Sequence, residues 1–258
     1  MERAHRYGPR LHILSEPSML SALARLGAPT TSTAEVPGLV RLAYARLLWA
    51  ALDRHFPVIE VREPTRMLAT EPQAYYTGEA LCRTTRLVIC AVVRAGILPA
   101  QTCYELACQV LPPANVRIDY LHLSRETDDE GRVIGVRADG SKIGGDVDGA
   151  VIVIPDPMGA TGGTVCRAVE MYRALGSGRP RAIAALHLMC TPEATQRVLA
   201  ATEDVALWTL RFDRGLSAPA VEGTEPGTHP HLERGLTDVH YVVPGAGGLG
   251  ELLTNSWV

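Results

Sequence analysis

VIVIPDPMGATGGT, residues 151–164, decides how the rest of the chain is read. Four apolar residues lead into Pro155, Asp156 and a loop of Gly, Ala and Thr. A continuous aliphatic run reads as a strand buried on both faces of a parallel sheet, and the small residues after it open a helix at Val165. Gly162 and Gly163 have no Cβ to hold the backbone away from an anion, Thr161 and Thr164 offer hydroxyls, and amides at a helix start carry partial positive charge. Asp156, at the strand's carboxyl end, can accept hydrogen bonds from vicinal hydroxyls, so carboxylate and cradle together suit a sugar phosphate. A Walker loop requires Gly-Lys-Ser/Thr and a dinucleotide fingerprint requires GxGxxG; this loop has neither. A glycine turn with no ligand is the plain alternative, and Asp156 with the two threonines counts against it.

Working outward, Leu87–Val93 (LVICAVV) is a second buried strand, ending in Arg94-Ala95-Gly96 before a helix from about Pro99 to Val110. An Arg at a strand's carboxyl end can meet an anion in the crevice where open α/β sheets bind ligands, or can cap a surface turn. Val116–Leu123 is a third strand. The polar, glycine-rich stretch at 124–149 reads as a hairpin flap. A helix over Val165–Leu175, a strand over Ala182–Met189, a helix from Thr191 through Ala201 and a strand over Val205–Leu210 follow. This alternation predicts an α/β fold with a central, mainly parallel sheet flanked by helices. His187, in mid-strand, reads as a core histidine.

Upstream, residues 1–14 read as an arm. Met19, Leu20, Leu23 and Leu26 recur at helical spacing, and a second helix places Leu39, Leu42, Ala43, Leu47 and Ala50 on one face. Phe56–Val61 alternates like a strand, and Glu63–Gly78 is polar and says little. Downstream, 213–238 is a Pro/Gly-rich excursion whose His229 and His231 have no third metal ligand nearby. No metal site is expected.

With 258 residues, 47% hydrophobic and 21% charged, the chain is long enough for one α/β domain with attachments or for two small domains. A net charge of −3 without a basic block argues against a sequence-independent grip on nucleic acid. The apolar runs are too short to span a bilayer and the start, MERAHRYGPRLH, is not a secretion signal, so a cytoplasmic protein is expected. Six cysteines without a CxxC pair read as reduced core thiols.

PDPMGATGGT resembles the 5-phosphoribosyl 1-diphosphate (PRPP) signature of type I phosphoribosyltransferases, and DPM-ATGG the version found in uracil phosphoribosyltransferases. VVRAG resembles that family's pyrophosphate loop, Arg125 the Arg of its flexible loop, and Tyr241–Glu251 its YI-PG-GD-GDR base-recognition segment. The resemblance implies one phosphoribosyltransferase-like domain over 1–258, with an N-terminal helical arm (1–60), a flexible flap (124–149) and a base-recognition hood with an insertion (213–258). It implies catalytic roles for Asp156 and Arg94. PRPP would bind at Asp156, Ala160, Thr161, Gly162, Gly163 and Thr164, and pyrophosphate at Arg94, Ala95, Gly96 and Arg125. The base would bind at Tyr241, Val242, Gly247 and Gly248, largely through main-chain groups. Mg²⁺ carried on PRPP, small-molecule substrates, and a homodimer or higher homo-oligomer follow from the same resemblance; no membrane or nucleic-acid partner does. The chain departs from the pattern at Gly248 and Glu251, where the family has Asp, and at Leu252, where it has Arg. Three functions therefore stand: UMP synthesis from uracil and PRPP, transfer to another nucleobase or heterocycle, and non-catalytic sensing of PRPP or a nucleotide.

Overall fold

The computed structural model describes residues 2–127, 133–138, 140–176 and 178–255, with backbone alone for the strand residues 124–127 and 133–138. Among these, an eight-stranded sheet carries the fold. Its strands are β1 (Leu11–Ile13), β4 (Leu87–Val93), β5 (Val116–Thr127), β6 (Val133–Ala138), β7 (Val151–Pro155), β8 (Met158–Gly159), β9 (Ala182–Cys190) and β10 (Val205–Phe212). A separate antiparallel pair is made by β2 (Val58–Pro64) and β3 (Tyr75–Leu81). The helices are α1 (Pro17–Leu26), α2 (Val36–His55), α3 (Ile97–Ala107), α4 (Gly163–Ala174), α5 (Pro192–Ala201), α6 (Pro219–Glu222) and α7 (Leu249–Thr254).

The sheet order is β1-β10-β9-β7-β4-β5-β6, parallel throughout except for the β5–β6 hairpin. β8 continues the line of β7 along β9. The aliphatic runs alternate between two cores, as a period of two requires. Leu87, Ile89 and Ala91 of β4, with Val151 and Val153 of β7, face α1, α2 and α3. Val88, Cys90 and Val92, with Ile152 and Ile154, face α4 and the buried Val147 and Ala150 of the chain returning from the hairpin.

The expected alternation of strands and helices from Leu87 is present, and so is the hairpin: Leu123 pairs with Ala138 and Arg125 with Val136. The tip of the expected flap lies outside the described residues. The return segment is clamped to β5 at Asp119, whose carboxylate accepts from Arg117, from the Gly144 amide (2.8 Å) and from the Tyr172 hydroxyl (3.0 Å).

Several readings need correction. Residues 1–14 are not wholly an arm: Leu11–Ile13 pairs with β10 as the sheet's edge strand, its three side chains buried. Two apolar residues flanking His12 were too short a run to show this. The strand expected at 56–61 starts at Val58 and runs to Pro64, and its partner β3 came largely from the stretch that said little; β2 is largely exposed and β3 has no fully buried residue, so neither has strong hydrophobic patterning. On α2 the buried stripe is Val36, Val40, Ala43, Leu47 and Ala51, widened by Tyr44, Leu48 and Leu52. Leu42 falls off that stripe and is exposed.

Where α2 ends, His55, Trp208 and His12 pack as a trio. His12 stacks on Trp208 at 3.9 Å between centroids, and the Trp208 indole donates to His55 Nε2 at 3.1 Å. Burial holds both imidazoles below their ordinary range, His55 down to about 4, with Arg54 adding to the effect and Glu2 opposing it at His12. The unfolded chain takes up these protons near pH 6.5, well above the folded one. The stability contribution is thus complete above that pH and is lost as pH falls from about 6.5 toward 4. We expect the melting temperature to drop by several degrees between pH 7.5 and 5, and His55→Gln, which keeps an acceptor for Trp208, to flatten the drop; equal slopes in thermal scans would refute the assignment.

Candidate active site

Parallel pairing brings the carboxyl ends of β4, β5 and β7 to one edge of the sheet, and a cleft of about 960 Å³ opens there. Three distant segments line it: 92–96, 156–165 and 240–251, together with His122, Leu123 and His187. Of the expected site residues Asp156, Arg94, Ala95, Gly96, Ala160, Thr161, Gly162, Thr164, Tyr241, Val242, Gly247 and Gly248 all lie on its wall. Gly163 sits just behind, buried as the first residue of α4. Arg125 has its backbone in β5, and its side chain lies outside the described residues.

The loop after β7 holds its shape through Gly162, which caps α4 with φ +74°. A Cβ there would lie 2.9 Å from the Ala194 carbonyl oxygen, so a glycine is required by both space and dihedral angle. The amides that start a helix lack intrahelical acceptors, which makes this turn a place for an anion. Asp156 stays in register with β9, between the Pro155–Leu186 and Met158–Met189 pairs. Its amide donates to the Leu186 carbonyl at 3.1 Å.

The Asp156 carbonyl accepts from His187 Nδ1 at 2.6 Å. A carbonyl only accepts, so His187 carries its proton on Nδ1. Its ring is buried, and burial pushes its pKa down against the pull of Asp156. The expected core histidine is thus also a lining residue that fixes the backbone of the carboxylate. Nothing in the sequence separates the two roles, because register with residue 156 appears only when the strands pair.

The Arg94 loop touches the β7 end through Gly96. A Cβ at that position would come within 2.6 Å of the Val92 oxygen and 3.0 Å of the Pro155 oxygen. The Gly96 amide donates to Val92 O at 2.9 Å, and the Val93–Arg94 peptide is cis. A side chain at 96 would force this loop off the end of β7.

The third wall is held by two carboxylates outside the cleft. Asp213, fully buried, accepts twice from Arg211 (2.6 and 2.7 Å) and once from the Gly245 amide (2.9 Å), while Arg211 also donates to the Gly245 carbonyl. Glu193 accepts from the amides of Gly235 and Leu236, and Leu236 bridges Val242. Glu193 was missed because a first-turn acid ordinarily caps its own helix.

The 213–238 excursion proves to be a closed loop. Its two Arg-Gly-Leu triplets, 214–216 and 234–236, meet where the Leu216 amide donates to the Arg234 carbonyl, 3.1 Å. Arg214 and Glu233 form a buried pair at 3.0 Å, and Tyr7 donates to Glu233 at 2.8 Å. The excursion thus starts and ends at one point, leaving Tyr241–Gly248 to reach the cleft.

A mainly parallel sheet flanked by helices, with a glycine- and threonine-rich turn and a carboxylate at its edge, is the architecture of the type I phosphoribosyltransferases. The uracil phosphoribosyltransferase family model matches residues 13–227. The chain belongs to that family. It is 26% identical over 215 residues to the uracil phosphoribosyltransferase of Pyrobaculum islandicum, covering 83% of each chain. It is 26% identical over 244 residues to that of Streptococcus uberis, covering 95% of this chain and 97% of the other. The structure of the AQ2163 protein from Aquifex aeolicus shares the fold, with a TM-score of 0.70 at 21% identity over 95% of this chain and 97% of that one. No helix among the described residues is long and apolar enough to cross a membrane.

Breaking the Arg214–Glu233 pair from one side strands a buried charge. We expect Arg214→Met to cost about 3–5 kcal/mol in denaturant unfolding. A loss below about 1 kcal/mol would show that the closed loop does not depend on this pair.

Proposed function

We propose that the protein transfers the 5-phosphoribosyl group of PRPP to uracil, releasing pyrophosphate and forming UMP. The observation that carries this reading is the convergence, on one cleft, of the Thr161–Thr164 turn, Asp156 and Arg94. Bond breaking at the anomeric carbon builds oxocarbenium character, so the protein's task is to hold two anions and an acceptor in line. In this reading the turn at 161–164 holds the 5-phosphate and Asp156 the ribose hydroxyls. Arg94, on the loop held by Gly96, draws charge from the departing pyrophosphate. Main-chain groups of Val242 and Gly247 meet the base, with Tyr241 and Gly248 beside them. In this reading the hairpin of β5 and β6 excludes the water that would compete for the anomeric carbon.

Mg²⁺ is proposed as part of the PRPP complex. Among the described residues no group of three or more His, Cys, Asp or Glu could hold a metal by itself. One cleft carboxylate, Asp156, suits an ion that takes most of its oxygens from substrate and water. When bound, the ion neutralises pyrophosphate charge. A second acceptor, another neutral heterocycle, is favoured by Gly248 and Leu252, which stand where the family pattern has Asp and Arg.

The test is pyrophosphate release with PRPP, Mg²⁺ and a panel of bases: uracil is expected to support turnover, orotate and the purines not to. Asp156→Asn should lower kcat by roughly 100-fold or more while leaving the melting temperature within a few degrees. Unchanged turnover in that variant would remove Asp156 from the reaction.

A further inference from the structure

A diphosphate brings several negative charges, yet among the described residues Arg94 is the one cleft-lining side chain of fixed positive charge, set against the carboxylates Asp156 and Glu251. The chain's one lysine, Lys142, pairs with Tyr120 outside that lining. Three lining histidines are the remaining groups that can take up a positive charge. His187 is buried with Nδ1 on the Asp156 carbonyl, and burial holds it toward the neutral form. His240 belongs to the 240–251 wall, in a turn closed by its amide on the Thr237 carbonyl at 2.9 Å. His122 stands elsewhere. The last pair in the β4–β5 register is Val93 with His122, which sets this residue beside Arg94, and it is exposed. Its amide donates to Ser141 Oγ at 3.3 Å, while its ring meets no protein partner among the described residues.

We propose that His122 is a second cation at the leaving-group end: it binds a pyrophosphate oxygen in its protonated form, so that the grip on pyrophosphate is linked to uptake of a proton. The proposal rests on the reading above that puts pyrophosphate at Arg94. An imidazolium donating to a phosphate oxygen makes a charge-assisted hydrogen bond, roughly twice as strong as a neutral one. The anion in turn favours the charged ring. Among the described side chains, Arg94 on β4 and Lys142 on the strand return oppose that form, and Asp156 and Glu251 on the other two walls support it. The first turn of α3, Ile97–Ala100, carries no charge, and exposed Tyr120 lies two residues back on β5. A guanidinium keeps its charge throughout the physiological range and an imidazole does not, so a pH-dependent grip singles out the histidine.

The experiment measures equilibrium affinity for pyrophosphate with Mg²⁺, without acceptor or turnover, in wild type, His122→Gln, His122→Lys and His240→Asn. It is run at about pH 6 and about pH 8.5, on either side of the ordinary imidazole range. Pyrophosphate's own titration is common to all four proteins and cancels in their ratios. Residue 122 is exposed, so its variants should fold as wild type does. Wild type should bind roughly tenfold tighter than His122→Gln at the lower pH and within about twofold of it at the higher. His122→Lys, charged at both, should match wild type at the lower pH and exceed it by roughly tenfold at the higher. A wild-type to His122→Gln ratio that is the same at both pH values overturns the inference, whether large or small. So does a lysine variant no tighter than wild type at the higher pH, a pH-linked loss in His240→Asn instead, or a wild type that binds no pyrophosphate. Transfer to uracil with a pH-independent ratio leaves the proposed reaction standing without this role; a pH-linked ratio with no transfer to any base does the reverse.

Discussion

Parallel pairing of β4 with β5 and β7, and of β7 with β9, is the constraint from which the rest of the molecule follows. Parallel strands need helical crossovers, which cover both faces and require aliphatic side chains on both sides of each strand. Leu87–Val93 and Val151–Ile154 meet that demand with side chains that alternate between two cores. The same geometry sends the carboxyl ends of β4 and β7 to one edge. Arg94 and Asp156, 62 positions apart in the chain, thereby line one cleft.

Precision at that edge comes from backbone held by buried polar groups. His187 fixes the Asp156 carbonyl, Gly96 lets the Arg94 loop touch the end of β7, and Asp213 with Arg211 grips Gly245 from both its amide and its carbonyl. Each of these groups is satisfied within the protein, because a buried polar atom without a partner costs more than its hydrogen bond returns. The walls thus keep their positions around the cleft. The closed loop at 214–234 obeys the same economy: Arg214 and Glu233 neutralise each other where the chain leaves and rejoins.

Much of this was legible along the chain, for reasons particular to each stretch. The turn at 156–164 is read locally, because glycines, threonines and an acid after an aliphatic strand have few other uses, and nearly all its residues line the cleft. The hairpin was visible from two short apolar pieces within polar sequence. The edge strand Leu11–Ile13 was hidden because two apolar residues around a histidine have no measurable period, and β3 because a strand without a fully buried residue has no apolar face to betray it. Glu193, Asp213 and His187 act through registers and amides remote in sequence, which no local pattern encodes.

The sequence alone determined the alternation of strand and helix, the glycine- and threonine-rich turn after the aliphatic strand and the family resemblance, since these depend on side-chain type at short spacing. Tertiary structure decided which wall each residue joins, that the 213–238 loop closes on itself, and that Glu251 occupies the space left by Gly248. Those depend on distances between residues that only strand pairing and loop closure bring together.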